Sequence, residues 1–147
     1  MGNLAVLRIH IEKMINAERH RVFDIVANFE NFQNVMPQYF PSVRVRSVRE
    51  NTAIVEEHIR LGGRELVMMT KHVTRYPELH EIFVVGGDAK GTHITEKYEK
   101  AGDATKLVVD ANIKLGVFSK ILSIFSKKKI KIEFNQIIEE FVKLAEN

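Results

Sequence analysis

The sequence contains no cysteine and no tryptophan, and only three prolines occur among its 147 residues. Without cysteine, disulfide bonds and thiolate catalysis are excluded. No apolar run approaches the roughly 18 residues that a membrane-spanning helix needs. The N-terminal residues enter an alternating apolar and polar pattern directly, which is not typical of a signal peptide. These absences lead us to expect a cytoplasmic protein.

The overall composition is that of an ordinary globular chain, with 45% hydrophobic and 28% charged residues. A chain of 147 residues is expected to form a single domain, here residues 1–147, with a substantial core. The formal net charge is only +3. Basic residues cluster at Lys127, Lys128, Lys129 and Lys131 alone, which is too local for a nucleic-acid-binding surface. We therefore expect no nucleic-acid partner.

Alternation of apolar and polar side chains predicts seven strands, the first of them around Leu7, Ile9 and Ile11. Turn-like breaks such as Gly62-Gly63 and Gly86-Gly87 separate the later strands, so the sheet should be antiparallel. The six later strands are predicted over Val43–Arg49, Ala53–Leu61, Glu65–Arg75, Leu79–Val85, Thr92–Lys100 and Lys106–Leu115.

Helical segments are predicted after the first strand and at the end of the chain. Asn16 is the expected N-cap of the first helix, and a short second helix should occupy Phe29 to Val35, before Pro37. A long final helix is predicted from about Val117 to Ala145. The order β-α-α-β6-α predicts an α+β fold whose last helix covers the apolar face of the sheet. The buried stripe of that helix should comprise Ile130, Phe134, Ile137, Ile138, Phe141, Leu144 and Ala145.

The first part of the final helix does not continue this stripe. Projected backward at about 100° per residue, the buried face meets serines, Ser119 and Ser123 among them, whereas Phe118, Leu122 and Phe125 fall on roughly the opposite side. This mismatch predicts either a bend or break between Phe125 and Ile130 or an exposed apolar patch. The segment Phe118–Lys131 could contact a membrane peripherally, act as a lid over a cavity, or pack in the ordinary way.

The element order and the segment Val22–Pro37, VFDIVANFENFQNVMP, resemble the helix-grip fold of the START-like (SRPBCC) superfamily. That superfamily includes birch-pollen allergens, polyketide cyclases/aromatases and coenzyme Q-binding proteins. Asn28 stands where the family often has an acidic residue, and Phe32 stands where it has a tyrosine. The resemblance implies a deep cavity between the sheet and the last helix that holds lipids, polyketides, quinones or hormones.

The predicted lining of this cavity follows from placing lone charged residues on the outer face of each strand. This rule places Glu57, Met68, Glu96, Val109 and Ile113 inside, and it leaves the fifth strand unoriented. The predicted lining is mostly apolar with a few polar groups, as in small-molecule pockets. The full set of expected ligand-binding residues is Phe32, Glu57, Met68, Glu96, Tyr98, Val109, Ile113, Phe118, Ser119, Leu122 and Ser123.

Four inward-facing polar residues are candidates for chemistry: Glu57, Glu96, His72 and Tyr98. A buried carboxylate is costly unless it is paired, protonated or close to water. The two glutamates therefore either bind the polar end of a ligand or transfer protons, or else form a structural hydrogen bond or ion pair. His72 and Tyr98 would be the acid and base of a cyclase. The histidines lack metal-ligand spacing, so no metal and no cofactor is expected.

These observations favour a non-enzymatic protein that binds a hydrophobic small molecule, such as a lipid, an isoprenoid or quinone, or a polyketide-like compound. An enzyme of the polyketide cyclase/dehydrase type is the alternative. A protein-interaction module, which the Lys127–Lys131 cluster would serve, is a third hypothesis.

Overall fold

The computed structural model describes residues 6–115 and 124–147. Its elements, in chain order, are β1 (Val6–Ile15), α1 (Arg19–Val26), a 3₁₀ turn (Phe29–Asn31), α2 (Phe32–Val35), β2 (Ser42–Arg49), β3 (Thr52–Leu61), β4 (Arg64–Arg75), β5 (Leu79–Gly87), β6 (His93–Ala101), β7 (Ala104–Lys114) and α3 (Ile124–Glu146).

The seven strands form a single antiparallel sheet in the order β1-β7-β6-β5-β4-β3-β2. Strands β2 to β7 are joined in sequence by short turns, and β1 joins the sheet beside β7. This arrangement confirms the predicted α+β helix-grip architecture. Because alternate side chains point to opposite faces, each strand contributes one row of residues to the face that α3 covers.

Helix α3 packs its apolar stripe into the core. Its buried side chains are Ile130, Ile137, Ile138, Phe141, Val142 and Ala145, with Phe134 and Leu144 partly buried beside them. The turn between β3 and β4 comes very close to this helix. A Cβ atom on Gly62, where φ is +66°, would lie 2.9 Å from a side-chain carbon of Ile130. Glycine is therefore needed there both for its backbone conformation and for its lack of a side chain.

The helix is continuous from Ile124 onward, so no break lies between Phe125 and Ile130. The predicted helix start at Val117 lies outside the described residues, as do Phe118, Ser119, Leu122 and Ser123. Membrane contact through Phe118–Lys131 and the protein-interaction role therefore stay predictions. Among the residues that the structure describes, no helix is both long and apolar enough to span a membrane.

Two local predictions differ from the structure. The N-cap of α1 is Glu18, whose carboxylate accepts hydrogen bonds from the backbone N–H groups of His20 at 2.9 Å and Arg21 at 3.4 Å. Asn16 instead donates its backbone N–H to the Glu146 carboxylate, at 2.8 Å. A longer acidic side chain beside the first turn thus performs the capping that the sequence pattern assigned to an asparagine.

Gly86 and Gly87 belong to β5 and do not form the turn that follows it. They pair with Met69 and Met68 of β4, beyond a register shift in the ladder. At Gly87, φ is +79°, and a Cβ atom would lie 2.4 Å from the carbonyl oxygen of Val67. This close approach excludes any larger residue at position 87. The pairing of Gly86 and Gly87 with β4 extends β5 past its predicted end at Val85.

Candidate functional site

A cavity of about 110 Å³ lies between the inner face of the sheet and α3. Among the residues that the structure describes, the wall is apolar except for the side chains of Glu57, Thr70, Thr92 and Glu96. This volume is somewhat below the roughly 150 Å³ of an apolar cavity that binds benzene, so the space is of the size of one ring or a short alkyl chain. The lining residues are Phe32, Phe40, Glu57, Ile59, Leu61, Leu66, Met68, Thr70, Ile82, Val84, Ala89, Thr92, Ile94, Glu96, Ile113, Phe134, Ile137, Ile138 and Phe141.

Five of the predicted ligand-binding residues line this cavity, namely Phe32, Glu57, Met68, Glu96 and Ile113. Two others are displaced from the predicted position. Val109 and Tyr98 are fully buried, at 0% and 1% exposure, but neither is among the lining side chains. Val109 is part of the packed core, and Tyr98 lies behind Glu96. The remaining predicted positions fall in the segment outside the described residues.

A continuous chain of hydrogen bonds runs across the sheet behind the cavity wall. It joins Glu57, His72, His80 and Glu96, which we call the buried quartet. His72 contacts the Glu57 carboxylate through Nε2 at 2.9 Å and contacts Nε2 of His80 through Nδ1 at 2.8 Å. Nδ1 of His80 lies 2.8 Å from Oε1 of Glu96. No more than 8% of any of these four side chains is exposed.

Strand register explains how residues distant in sequence come together. His80 on β5 stands directly opposite Glu96 on β6. On β4, His72 and Thr70 belong to the same inward row, and Thr70 stands opposite Val55 on β3, two residues from Glu57 on that face. The quartet therefore crosses four neighbouring strands on one side of the sheet.

His80 is the functional candidate that sequence reasoning missed. It points inward with Val84 and is fully buried, at 0% exposure. The sequence did contain a signal for this orientation, because the charged Glu81 is next to His80. The rule applied to the other strands would have placed Glu81 on the outer face and His80 on the inner face. Leu79 and Phe83 on the outer face made both rows of β5 look apolar. Phe83 is in fact covered on the outer face by His93, with ring centroids 4.4 Å apart, and by Lys71.

Neutral hydroxyl groups complete the two ends of the quartet. The Thr70 hydroxyl donates a hydrogen bond to the Glu57 carboxylate. The Tyr98 hydroxyl donates to Oε1 of Glu96 at 2.6 Å. Neither His72 nor Tyr98 is among the described side chains that line the cavity, and their role as the acid and base of a cyclase stays a prediction. Their hydrogen bonds instead hold the two glutamates that do line the cavity.

The surroundings of Glu57 lower the pKa of its carboxyl group. Burial by itself acts to raise the pKa of Glu57, but the hydrogen bonds and charge of His72, together with the Thr70 hydroxyl, outweigh it and lower the pKa from its ordinary value. At the other end, burial and the neighbouring Glu96 raise the pKa of Tyr98 well above its usual value. Tyr98 therefore remains a neutral hydrogen-bond donor at physiological pH.

Aromatic side chains that are not part of the cavity lining cover the quartet and its partner Tyr98. The ring of Phe29 lies over His72 with centroids 4.2 Å apart. Phe23 on α1 packs against Tyr98 at 4.8 Å. Water is thereby kept from the imidazole rings, which strengthens electrostatic interactions within the quartet.

The site can bind and exchange protons through two carboxyl groups that line an otherwise apolar space. Imidazoles behind each carboxyl group orient it and can share its proton. Within the described residues, no group of three or more histidine, aspartate or glutamate side chains is arranged to hold a metal ion.

Comparison with known proteins gives matches by structure only. No family model matches the chain, and no curated protein matches it in sequence. A START superfamily protein from Mycobacterium smegmatis superposes with a TM-score of 0.80 at 14% identity, covering 95% of this chain and 97% of that one. The Zhui aromatase/cyclase from Streptomyces sp. R1128 gives a TM-score of 0.78 at 11% identity, covering 96% and 94%.

A plant protein extends the same likeness. Ginseng major latex-like protein 151 from Panax ginseng superposes with a TM-score of 0.65 at 11% identity, covering 92% of this chain and 96% of that one. At such low identities the agreement concerns the backbone over nearly the whole length, in bacterial and plant proteins alike. Together with the sheet order and the covering helix, these likenesses show that the chain has the START-like, or helix-grip, fold.

Proposed function

We propose that this protein binds a small, mainly apolar molecule in the cavity, with the polar end of the ligand held by Glu57 and Glu96. The observation that supports this proposal most is the apolar space between the sheet and α3, with carboxyl groups on one part of its wall. This is the usual design of a small-molecule site, in which apolar walls give affinity and a few polar groups fix orientation.

The volume of the cavity limits what it can enclose. At about 110 Å³ it is smaller than the roughly 300 Å³ of a typical ligand pocket, so it suits a ring-sized molecule or the end of a larger one. A lipid, an isoprenoid or quinone, or a polyketide-like compound would place one ring or a short chain there. Each Å² of apolar surface removed from water would contribute about 25 cal/mol to binding.

Binding of toluene tests this proposal, since toluene is a ring-sized molecule as apolar as the cavity wall. Titration monitored by NMR should show saturable shifts of the lining methyl groups in the unmutated protein. Val84→Phe adds volume at a lining position and should weaken toluene binding at least tenfold, while Val48→Phe, at a position that is 62% exposed, should leave it unchanged. Saturable binding that survives Val84→Phe would contradict the proposal.

An enzyme that uses the same cavity is the second candidate, because the quartet joins the two lining glutamates through imidazoles. Buried acid–base groups linked by hydrogen bonds are the equipment of proton-transfer catalysis. The likeness to an aromatase/cyclase makes polyketide cyclisation the reaction to assay first. In this case the cavity-facing Glu57 and Glu96 would exchange protons with the substrate, and His72 and His80 would position them.

The two candidates differ in what Glu57→Gln and Glu96→Gln do. In a binder, both variants change affinity and its pH dependence, and no turnover exists to lose. In an enzyme, one of them should lower the rate by about 10²–10⁴, the usual contribution of a general acid or base. If the unmutated protein shows no cyclisation of a polyketide substrate, the enzyme hypothesis is rejected for that substrate.

A further inference from the structure

We propose that the preferred ligand carries a protonated amine, because the buried quartet presents one uncompensated negative charge to the cavity. This inference rests on the proposed ligand-binding function and adds the chemical class of the polar end. It is carried by the hydrogen-bond connectivity of Glu57, His72, His80 and Glu96.

The charge follows from counting protons along the quartet. Three contacts join its members, and in each of them both atoms are potential acceptors at hydrogen-bond distance. Each contact therefore needs a single proton. With no proton, two lone pairs would face each other, and with two protons, the hydrogens would clash. Two of the three protons are those that neutral imidazoles already carry. The third offsets only one of the two carboxylate charges.

The same charge results from every placement of these protons. If His72 and His80 together hold all three, the pair is cationic between two carboxylates. If one proton moves to Glu96 or to Glu57, both imidazoles are neutral and one carboxylate remains. One negative charge persists in either case, and its location can shift toward whichever glutamate a ligand meets.

Nothing else in the described part of the site supplies a compensating cation. The cavity wall contains no lysine or arginine among the described residues. The other partners of the quartet, Thr70 and Tyr98, are neutral donors. The aromatic rings packed on His72 and Tyr98 are those of Phe29 and Phe23, which carry no charge. The lowered pKa of Glu57 opposes neutralisation by an extra proton on its free oxygen at neutral pH.

A buried charge without a partner is unfavourable, and a cation that reaches it gains both Coulomb energy and charge-assisted hydrogen bonds. A primary ammonium group offers three donors on one small atom, and its apolar remainder would fill the cavity. A neutral alcohol of the same shape can donate only one uncharged hydrogen bond. A carboxylate of the same size would be repelled.

The test compares benzylamine, benzyl alcohol and benzoate, which share one ring and differ in the charge of the polar end. Each is titrated at pH 7 by calorimetry, in competition with toluene so that only binding in the cavity counts. Benzylamine should bind at least tenfold more tightly than benzyl alcohol, and benzoate should be the weakest. This comparison uses the unmutated protein and does not depend on any variant folding.

Two variants separate charge from shape. With its amide oxygen accepting from Thr70 and His72, as the Glu57 carboxylate oxygen does, the side chain in Glu57→Gln removes the quartet's net charge at nearly constant volume. This variant should reduce the preference for benzylamine over benzyl alcohol to about threefold or less. Ile59→Leu changes the cavity wall without changing charge and should retain the preference. If Glu57→Gln does not fold, Glu96→Gln provides the same test at the other end of the quartet.

Equal affinity for benzylamine and benzyl alcohol would overturn the inference and leave the proposed binding function intact. A preference that persists unchanged in both glutamine variants would also overturn it. If toluene, benzylamine, benzyl alcohol and benzoate all fail to bind, the proposed function and this inference both fail.

Discussion

The two ends of the cavity are built on different principles. At one end, cross-strand hydrogen bonds among β3, β4, β5 and β6 join the polar side chains of the buried quartet. At the other end, Leu61, Leu66 and Ile113 meet apolar side chains of α3 such as Ile137. Among described residues, the buried side-chain atoms without a hydrogen-bond partner belong to Arg19 and Asn112, and neither is in the quartet.

The two ends of the cavity should differ in how well they tolerate substitution. Apolar contacts are non-directional, so the end covered by α3 should accept substitutions that keep its volume. The quartet depends on directional bonds, and removal of one member leaves another buried and unpaired. Substitution by another apolar residue of similar size should therefore cost little stability at the apolar end. Substitution of a quartet residue by an apolar one should cost much more.

The largest contrast is expected from replacing one residue of the quartet and one residue of the apolar cavity wall by leucine. His72→Leu leaves the Glu57 carboxylate without its imidazole partner and should lower the free energy of unfolding by about 3–5 kcal/mol. Ile59→Leu, a volume-conserving change in the wall, should cost less than about 1.5 kcal/mol. Urea unfolding at pH 7 measures both. Equal losses would contradict the distinction between the two ends.

Glu57→Gln should lower the free energy of unfolding by a smaller amount, and this loss should depend on pH. The pKa of Glu57 is lowered on folding from a reference value of 4.5, so its ionised form stabilises the protein above that pH, and this contribution is lost as the pH falls through the folded-state value. The variant should be about 1–3 kcal/mol less stable than the unmutated protein at pH 7.

The difference in unfolding free energy between the unmutated protein and Glu57→Gln should shrink as the pH is lowered below 4.5. Unfolding curves collected between pH 7 and pH 3 test this trend. A difference that grows on acidification would mean that folding raises the pKa of Glu57 rather than lowering it.

The smallest effect is expected at the edge of the quartet. Tyr98→Phe removes the hydroxyl that donates to Glu96 but keeps the ring that packs against Phe23. Because Glu96 retains its contact with His80, the loss should be about 0.5–1.5 kcal/mol. Urea unfolding that shows a loss close to that of His72→Leu would indicate that Tyr98, and not the imidazole pair, holds Glu96 in place.

Much of the fold could be predicted because its signals are local. Alternation places the strands, and lone charges such as Glu56 and Lys97 orient them, so the inward positions of Glu57 and Glu96 follow from their neighbours. The stripe of α3 from Ile130 onward is likewise a periodic pattern within one element. The N-cap at Glu18 and the extension of β5 to Gly87 were missed because they depend on contacts that the pattern does not contain.

The quartet itself could not be read from the sequence. Its bonds depend on register between strands, as when His80 meets Glu96 across the β5–β6 pair. A single residue of shift would have turned one of them outward. Because both faces of β5 carry apolar residues, the sequence left this strand unoriented, and with it the imidazole that completes the chain of hydrogen bonds.

The most direct test of the account is to locate a bound ring by nuclear Overhauser effects. With toluene at saturation, contacts should appear between its protons and the methyl groups of Ile59, Ile82 and Ile113, which line the cavity on separate strands. Such contacts would place a ligand between the sheet and α3. Contacts only to exposed methyl groups such as those of Val48, or saturable binding with no contact to the lining methyl groups, would contradict the account.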